Sequence, residues 1–179
     1  MKTLSDHVLD IVQNSIRANA TLIEVIVEED KNNNLYMLQI SDNGCGMSKE
    51  MVEKATNPFF TTRDTRKVGL GLPLLKQNAE MANGKFKLIS EVNKGTLVEA
   101  SFQHSNIDRP ELGDIWNTLY LTMLGNKNLE LIYQHRTNNG SFKFSSTEIK
   151  SNIEGVSMQQ AEVRRAILEF IQNNINDIQ

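Results

Sequence analysis

The stretch "ISDNGCGMS", Ile40 to Ser48, follows a strand-like run and places two glycines directly behind an acidic residue. The run before it, "LYMLQIS" (35–41), is rich in β-forming residues, as is "TLIEVIVEE" (21–29). The turn-forming "DKNNN" separates the two runs, so the sequence predicts a hairpin whose second strand ends at this motif. A short helix is predicted next, at 48–55.

A carboxylate at a strand end, followed by two glycines, can take part in recognition of a flat polar ring. Asp42 can accept a hydrogen bond from an exocyclic amine, while Gly44 and Gly46 let the ring approach the backbone. The same residues are also typical of an ordinary strand, turn and helix, with a "DNG" turn that binds no ligand. The motif alone leaves both interpretations open.

The N-terminal segment predicts an amphipathic helix over 4–18, with its polar residues on one side. That side carries His7, Asp10, Asn14 and Arg17 at spacings of three and four. One interpretation is a solvated polar face. The other is a magnesium phosphate site, because an amide oxygen suits a hard cation and a guanidinium suits a phosphate.

The stretch "VGLGLPLLKQNAEMANG" (68–84) places Gly69 and Gly71 at the front edge of a helix predicted over 70–82. Backbone N–H groups at a helix start are unpaired donors, and glycines would let a phosphate approach them. The preceding loop, 56–69, carries a basic trio that can fold over a polyphosphate: Arg63, Arg66 and Lys67. Neither "GxxxxGK[ST]" nor "GxGxxG" is present, which argues against P-loop and Rossmann sites.

Two more strands, 86–91 and 96–102, complete a predicted α+β unit with a mostly antiparallel sheet covered by helices on one face. We divide the chain into 1–103 and a helix–hairpin–helix extension at 104–179, expected to pack on the same core. Its parts are a helix capped by Asp108 with Pro110 early, strands at 129–135 and 141–149, and a last helix opened by a Ser157/Gln160 capping box.

Composition limits the classes of function. The 179 residues are 39% hydrophobic and 23% charged, which is typical of a globular domain. A net charge of −3 gives nucleic acid no broad electrostatic reason to bind. Three scattered histidines and one cysteine offer neither metal-ligand spacing nor an intrachain disulfide. The N-terminus has no long apolar run, so we expect no signal peptide, no membrane anchor and a cytoplasmic location.

Five segments follow one another in a specific order: the helix with Asn14, then "DNGCGM", "PFFTTR", "GLGL" and "KGTLVEASF". In this order they resemble the GHKL superfamily, which includes gyrase-type topoisomerases, large heat-shock chaperones, histidine kinases and MutL-type repair proteins. The resemblance covers about residues 4–102. It implies the Bergerat fold, a two-layer α/β sandwich, with ATP and Mg²⁺ as ligands.

The resemblance also implies roles for individual residues. Asn14 resembles the asparagine that coordinates magnesium, Arg17 a phosphate contact, and Asp42 the aspartate that reads the adenine amine. The other nucleotide-binding residues implied are Gly44, Gly46, Met47, Phe59, Phe60, Thr61, Thr62, Arg63, Lys67, Gly69, Leu70, Gly71, Leu72 and Thr96.

Asp10 departs from the family pattern. Hydrolysing members usually carry glutamate there as the base that activates water, and Asp10 is one methylene shorter. The chain begins directly with the Asn14 helix, so we do not expect the phosphoacceptor hairpin of histidine kinases, and His7 is a poor acceptor. Three functions remain open: a trans-acting protein kinase or nucleotide-dependent regulator of a protein partner, a slow ATPase switch, or a non-catalytic ATP-sensing module.

Overall fold

The structure, a computed structural model, describes residues 1–57, 71–153 and 155–179. Its elements are, in chain order, α1 Leu4–Arg17, β1 Leu22–Asp30, β2 Leu35–Asp42, α2 Lys49–Ala55, α3 Gly71–Met81, β3 Phe86–Glu91, β4 Gly95–Gln103, α4 Ile115–Gly125, β5 Glu130–Thr137, β6 Gly140–Ser145, α5 Ser146–Asn152 and α6 Ala161–Ile178. These strands form one sheet in the order β3-β4-β2-β1-β5-β6. The predicted α+β architecture, with a mostly antiparallel sheet, is confirmed.

The sheet has one buried face because its strands alternate between inward and outward positions. In β1, for example, Ile23, Val25 and Val27 are fully buried while the residues between them are half-buried. On the inward face α1 packs beside α3 on one side and α4 on the other, and α6 packs beside α4. None of the helices described here is both long and apolar enough to cross a lipid bilayer.

Local signals fix the ends of α1 and α3. Thr3 caps α1 and forms a capping box with Asp6, whose carboxylate accepts from the backbone N–H of Thr3. The predicted left-handed cap after α3 is confirmed, since Asn83 has φ 55° and Gly84 N donates to Ala79 O at 2.8 Å. The two helices end at Arg17 and Met81, each one residue before the predicted end.

Residues after Gln103 extend the same sheet. Strand β5 pairs in parallel with β1, with Ile23 opposite Leu131, and β6 then pairs with β5 as an antiparallel hairpin. Every other neighbouring pair of strands is antiparallel. The boundary at 103/104 stays a prediction, while the strand pairing makes both segments contribute to one sheet and one core.

The predicted start of α4 was wrong. The helix begins at Ile115, and its cap is Asp114, whose Oδ1 accepts from Asn117 N at 3.1 Å, rather than Asp108. The segment before it is used elsewhere, because Glu111 O and Leu112 O accept the first backbone N–H groups of α1. A long-range contact therefore overrides the local helix signal.

Two further boundaries differ from the sequence prediction. The strand predicted to run to 149 ends at Ser145, whose hydroxyl accepts from Glu148 N and starts the short helix α5. The Ser157/Gln160 capping box does not form: Ser157 O accepts from Gln160 N in a turn, and α6 begins at Ala161. A serine hydroxyl can cap a helix, as that of Ser145 does, or accept within a turn, as that of Ser157 does from Gln159 N at 3.3 Å.

A buried polar network lies at the far end of β1. Glu29 is 8% exposed and its carboxylate accepts from His135 Nε2 at 2.9 Å and from His104 Nε2 at 3.2 Å. A carboxylate can only accept, so both imidazoles donate to it, and His135 Nδ1 pairs with the Tyr133 hydroxyl at 2.9 Å. Burial by itself raises the pKa of Glu29, but the histidine hydrogen bonds outweigh it and lower the pKa to about 2.

Glu29→Gln is expected to remove an acid-sensitive part of the free energy of unfolding. The folded-state pKa of Glu29, about 2, lies below its ordinary value of 4.5. The carboxylate therefore stabilises the fold above about pH 4.5, and this contribution is lost as the pH falls toward about 2. Urea unfolding at about pH 6 and about pH 3 should show the difference between wild type and Glu29→Gln shrinking in acid.

The matched control is Glu28→Gln, on the opposite face of the same strand. A difference between wild type and Glu29→Gln that stays constant from about pH 6 to about pH 3 would contradict the assigned network.

Candidate functional site

Two hydrogen bonds fix the carboxylate of Asp42 at the end of β2. Its Oδ2 accepts from the Ser15 hydroxyl at 2.7 Å, and its Oδ1 accepts from Gly44 N at 2.9 Å. Ser15 is buried on α1, so this pair joins the helix to the strand end. The sequence analysis missed Ser15, although its place beside Asn14 on the helix was a usable signal.

Thr96 lies directly opposite Asp42 on the neighbouring strand β4. Its hydroxyl is 2.9 Å from the Ser90 hydroxyl, which itself lies 2.8 Å from Gly95 O and accepts from Met47 N at 2.8 Å. Because the single hydrogen of Ser90 goes to Gly95 O, Thr96 donates to Ser90 and keeps its lone pairs as acceptors. Met47 and Thr96 are thus connected through Ser90, another residue that the sequence analysis missed.

The glycines of "DNGCGM" are required by the protein's own packing. A Cβ on Gly44 would lie 2.8 Å from Ala18 O, and one on Gly46 would lie 2.0 Å from Glu91 O. Gly46 also has φ +63°, a conformation that suits glycine. On β4, a Cβ on Gly95 would lie 1.9 Å from Asp42 O. These glycines let α1, the β3–β4 turn and the end of β2 converge.

Asn43 and Cys45 occupy the same loop with different surroundings. The Asn43 side chain accepts from the backbone N–H groups of Thr21 and Leu22, both at 2.9 Å, which anchors the loop to the start of β1. Cys45 is exposed. Its exposure is unusual, because a free cysteine is among the most often buried residue types.

The polar side of α1 brings Asp10, Asn14 and Arg17 together. Asn14 Oδ1 accepts from Arg17 Nη1 at 2.8 Å, and Asn14 Nδ2 donates to Asp10 Oδ2 at 3.4 Å. Asn14 directly precedes Ser15, which holds Asp42. One turn of helix therefore carries both the Asn14 amide and the support of the strand-end acid.

The start of α3 packs directly on Asp10. A Cβ on Gly71 would lie 2.0 Å from Asp10 Oδ2, so the space that glycine leaves is filled by that carboxylate. The sequence analysis explained this glycine by the approach of a phosphate, whereas here its backbone meets α1. Leu72 follows as a half-buried residue packed on the core.

His7 does not belong to a solvated face. Its side chain is fully buried, and its Nε2 is 3.0 Å from Asn78 Nδ2 on α3. Burial lowers the pKa of His7, although the nearby backbone of Gly71 opposes the shift. His7 thus helps hold α3 against α1 as a neutral side chain, which corrects the interpretation of this face as wholly solvated.

Eight of the predicted site residues fall outside the described residues, so nothing structural is said of them: Phe59, Phe60, Thr61, Thr62, Arg63, Lys67, Gly69 and Leu70. The described ones lie at one end of the sheet, around the end of β2, the start of β4, the polar side of α1 and the start of α3. Together these elements bring the strand-end acid and the polar side of α1 to the same end of an α+β sandwich.

Comparison with known proteins assigns the family. Residues 2–106 match the family described as histidine kinase-, DNA gyrase B- and HSP90-like ATPase. The chain belongs to this family, whose domain implies ATP binding. The predicted resemblance to the GHKL superfamily is thereby confirmed.

The similar proteins are much longer than this chain. A protein named as a sensor protein from Shewanella frigidimarina is 34% identical over 101 residues, which cover 55% of this chain and 15% of that protein. Cell-division control histidine kinase PdhS of Brucella anthropi is 30% identical over 120 residues, covering 59% of this chain and 11% of the kinase. A solved N-terminal domain of a DNA repair protein shares the fold, with a TM-score of 0.51 and 21% identity, over 81% of this chain and 52% of that one.

Gly71→Ala is expected to destabilise the protein by roughly 1–3 kcal/mol, because the new methyl group displaces the Asp10 carboxylate. In an Asp10→Ala background the nearest remaining contact is Asp10 Cβ at 3.5 Å, so the same substitution should cost little. Urea unfolding of the four proteins of this double-mutant cycle measures the coupling.

Gly125→Ala is the control, because a Cβ there meets nothing within 4 Å. Equal costs of Gly71→Ala in both backgrounds would mean that Asp10 does not fill the space beside Gly71.

Proposed function

We propose that the protein binds ATP with Mg²⁺ at the meeting point of β2, β4, α1 and α3, and that it phosphorylates a protein partner. The observation that carries the proposal is the fixed carboxylate of Asp42, held by Ser15 and Gly44 beside Thr96. Asn14 directly precedes Ser15 on α1, so the helix that supports this acid also carries the candidate magnesium ligand. One stretch of α1 thereby supports both the part of the proposed site that would bind adenine and the part that would bind the phosphates.

Asp42 supports recognition of adenine rather than guanine. Its oxygens are acceptors only, and the exocyclic amine of adenine is a donor. Guanine presents a carbonyl oxygen at the same position, so it would leave the carboxylate without that hydrogen bond. The free lone pairs of Thr96 provide a second acceptor beside it.

The part of the proposed site that would bind the phosphates lies between α1 and α3. Among the described residues, no group of three or more His, Cys, Asp or Glu side chains could hold a metal ion. A Mg²⁺ ion would therefore rely on Asn14 and on the phosphates of the nucleotide, which fits its preference for oxygen ligands and few protein ligands. Arg17 on α1 and the N-terminus of α3 would face the phosphate charge.

Phosphoryl transfer to a partner is favoured over acceptance by this chain's own histidines. Of the three histidines in the sequence, His7 and His135 are fully buried and His104 is bound to Glu29. The similar proteins include kinases that act through histidine, so the chemistry has a precedent in the family. A histidine acceptor would therefore lie outside residues 1–179.

Hydrolysis is less well supported than transfer. Asp10 is half-buried, and one oxygen of its carboxylate, Oδ2, packs against Gly71 and Asn14. Asp10 therefore suits a positioning role in the joint between α1 and α3.

Asp42→Asn is expected to weaken ATP binding by about 10- to 100-fold, because a hydrogen bond to a charged group is worth roughly 1.5–3 kcal/mol. Titration with a fluorescent ATP analogue, competed by ATP or GTP, measures both affinity and base preference. Glu99→Gln, on the opposite face of the adjacent strand β4, is the matched control. Unchanged affinity in Asp42→Asn would remove the basis for adenine recognition.

The reaction is tested by incubating the protein with γ-labelled ATP and Mg²⁺, alone and with host lysate. Label on another protein, absent with Asp42→Asn, is the expected result. Free phosphate without labelled protein, abolished by Asp10→Ala, would instead identify a slow ATPase. Tight ATP binding with neither product would identify a nucleotide-sensing module.

A further inference from the structure

Helix α3 buries little side-chain volume along its length. Its buried residues are Gly71, Leu75 and Ala79, so a single side chain larger than a methyl group enters the core from this helix. Apolar packing is non-directional, and such small side chains interdigitate little with the ridges of a neighbouring helix. Directional polar contacts are therefore needed to set the exact position of α3 against α1.

Two polar contacts join α1 to α3. The Asp10 carboxylate fills the space beside Gly71, where a Cβ would lie 2.0 Å from Asp10 Oδ2. One turn earlier on α1, His7 Nε2 lies 3.0 Å from Asn78 Nδ2. Gly71 and Asn78 are separated by about two turns of α3. Two contacts that far apart fix both the place of α3 along α1 and the angle between the two helices.

The contact of His7 with Asn78 has a defined direction. An amide nitrogen only donates, so Nε2 of His7 accepts, and the neutral imidazole carries its proton on Nδ1. The side chain is fully buried, yet no group in the part of the chain that the structure describes makes a hydrogen bond with Nδ1. Nε2 is therefore the imidazole atom that holds α3, and a substitution that keeps an acceptor at this place can be separated from one that does not.

We propose that His7 is a positioning residue for the triphosphate. Through Asn78 it sets where the start of α3 lies relative to α1, and this start is the part of the proposed site that would face the phosphates. This proposal rests on the proposed ATP site and adds to it a residue that touches neither the base nor the phosphates.

The part of the site that would bind adenine is held independently of His7. Ser15, whose hydroxyl donates to Asp42, lies eight residues further along α1, a distance of about 12 Å along the helix axis. His7 therefore controls the affinity that the phosphates add and leaves the affinity for the base unchanged.

The test uses the full chain in Mg²⁺, with adenosine and ATP each competing against a fluorescent ATP analogue. The measured quantity is the phosphate gain, defined as the Kd for adenosine divided by the Kd for ATP. In His7→Asn, whose shorter amide does not reach the place of Nε2, the phosphate gain should fall by about tenfold, the equivalent of one hydrogen bond to a charged group. His7→Gln places an acceptor oxygen close to where Nε2 lies, so it should keep the phosphate gain of the wild type.

Asn78→Leu removes the same contact from the side of α3, and it replaces His7→Asn if that variant does not fold. It should lower the phosphate gain as much as His7→Asn does, and the double variant should lower it no further. His104→Asn is the matched control, because it changes another hydrogen-bonded histidine, one that donates to Glu29 at the end of β1 opposite to Asp42. Its phosphate gain should equal that of the wild type.

Three results would overturn the positioning role: an unchanged phosphate gain in both His7→Asn and Asn78→Leu, an equal weakening of adenosine and ATP binding in them, or a loss in His7→Gln as large as that in His7→Asn. Failure of the wild type to bind the analogue would instead overturn the ATP site itself, which is a distinct outcome.

Discussion

The contact between Ser15 and Asp42 is the constraint on which the site depends. A hydroxyl buried on α1 donates to a carboxylate at the end of β2, so a helix and a sheet are joined through a charged group. A hydrogen bond to a charged acceptor is stronger than a neutral one and is costly to leave unmade. It therefore fixes the carboxylate and, at the same time, the rotation of α1 that presents Asn14 and Arg17.

The glycines around this contact serve the approach of one element to another. Gly44 meets Ala18, Gly95 meets the backbone of Asp42, and Gly71 meets the Asp10 carboxylate. In each case the atom that a Cβ would strike belongs to a different element of the fold. Glycine-rich motifs of this kind need not touch a ligand at every glycine, because close packing of the surrounding walls demands small residues as well.

The C-terminal residues complete the sheet on the side away from the site. Because β5 pairs with β1 in parallel, residues far apart in the sequence, Glu29 and His135, become neighbours and form a buried hydrogen bond. His104, from the segment after β4, reaches the same carboxylate. The C-terminal segment is thus joined to β1 by strand pairing and also by a buried polar group at the end of β1 opposite to Asp42.

The sequence by itself determined the order of the elements, the strand pairs formed by chain neighbours, the left-handed cap at Asn83 and the family of the domain. These follow from periodicity, turn residues and motif order, all of which act over short distances along the chain. Tertiary structure alone decided the parallel pairing of β1 with β5, the start of α4 at Ile115, the burial of His7 and the role of Ser15. Each of these depends on a partner distant in sequence, and the free energy of such a contact cannot be predicted from the neighbouring residues in the chain.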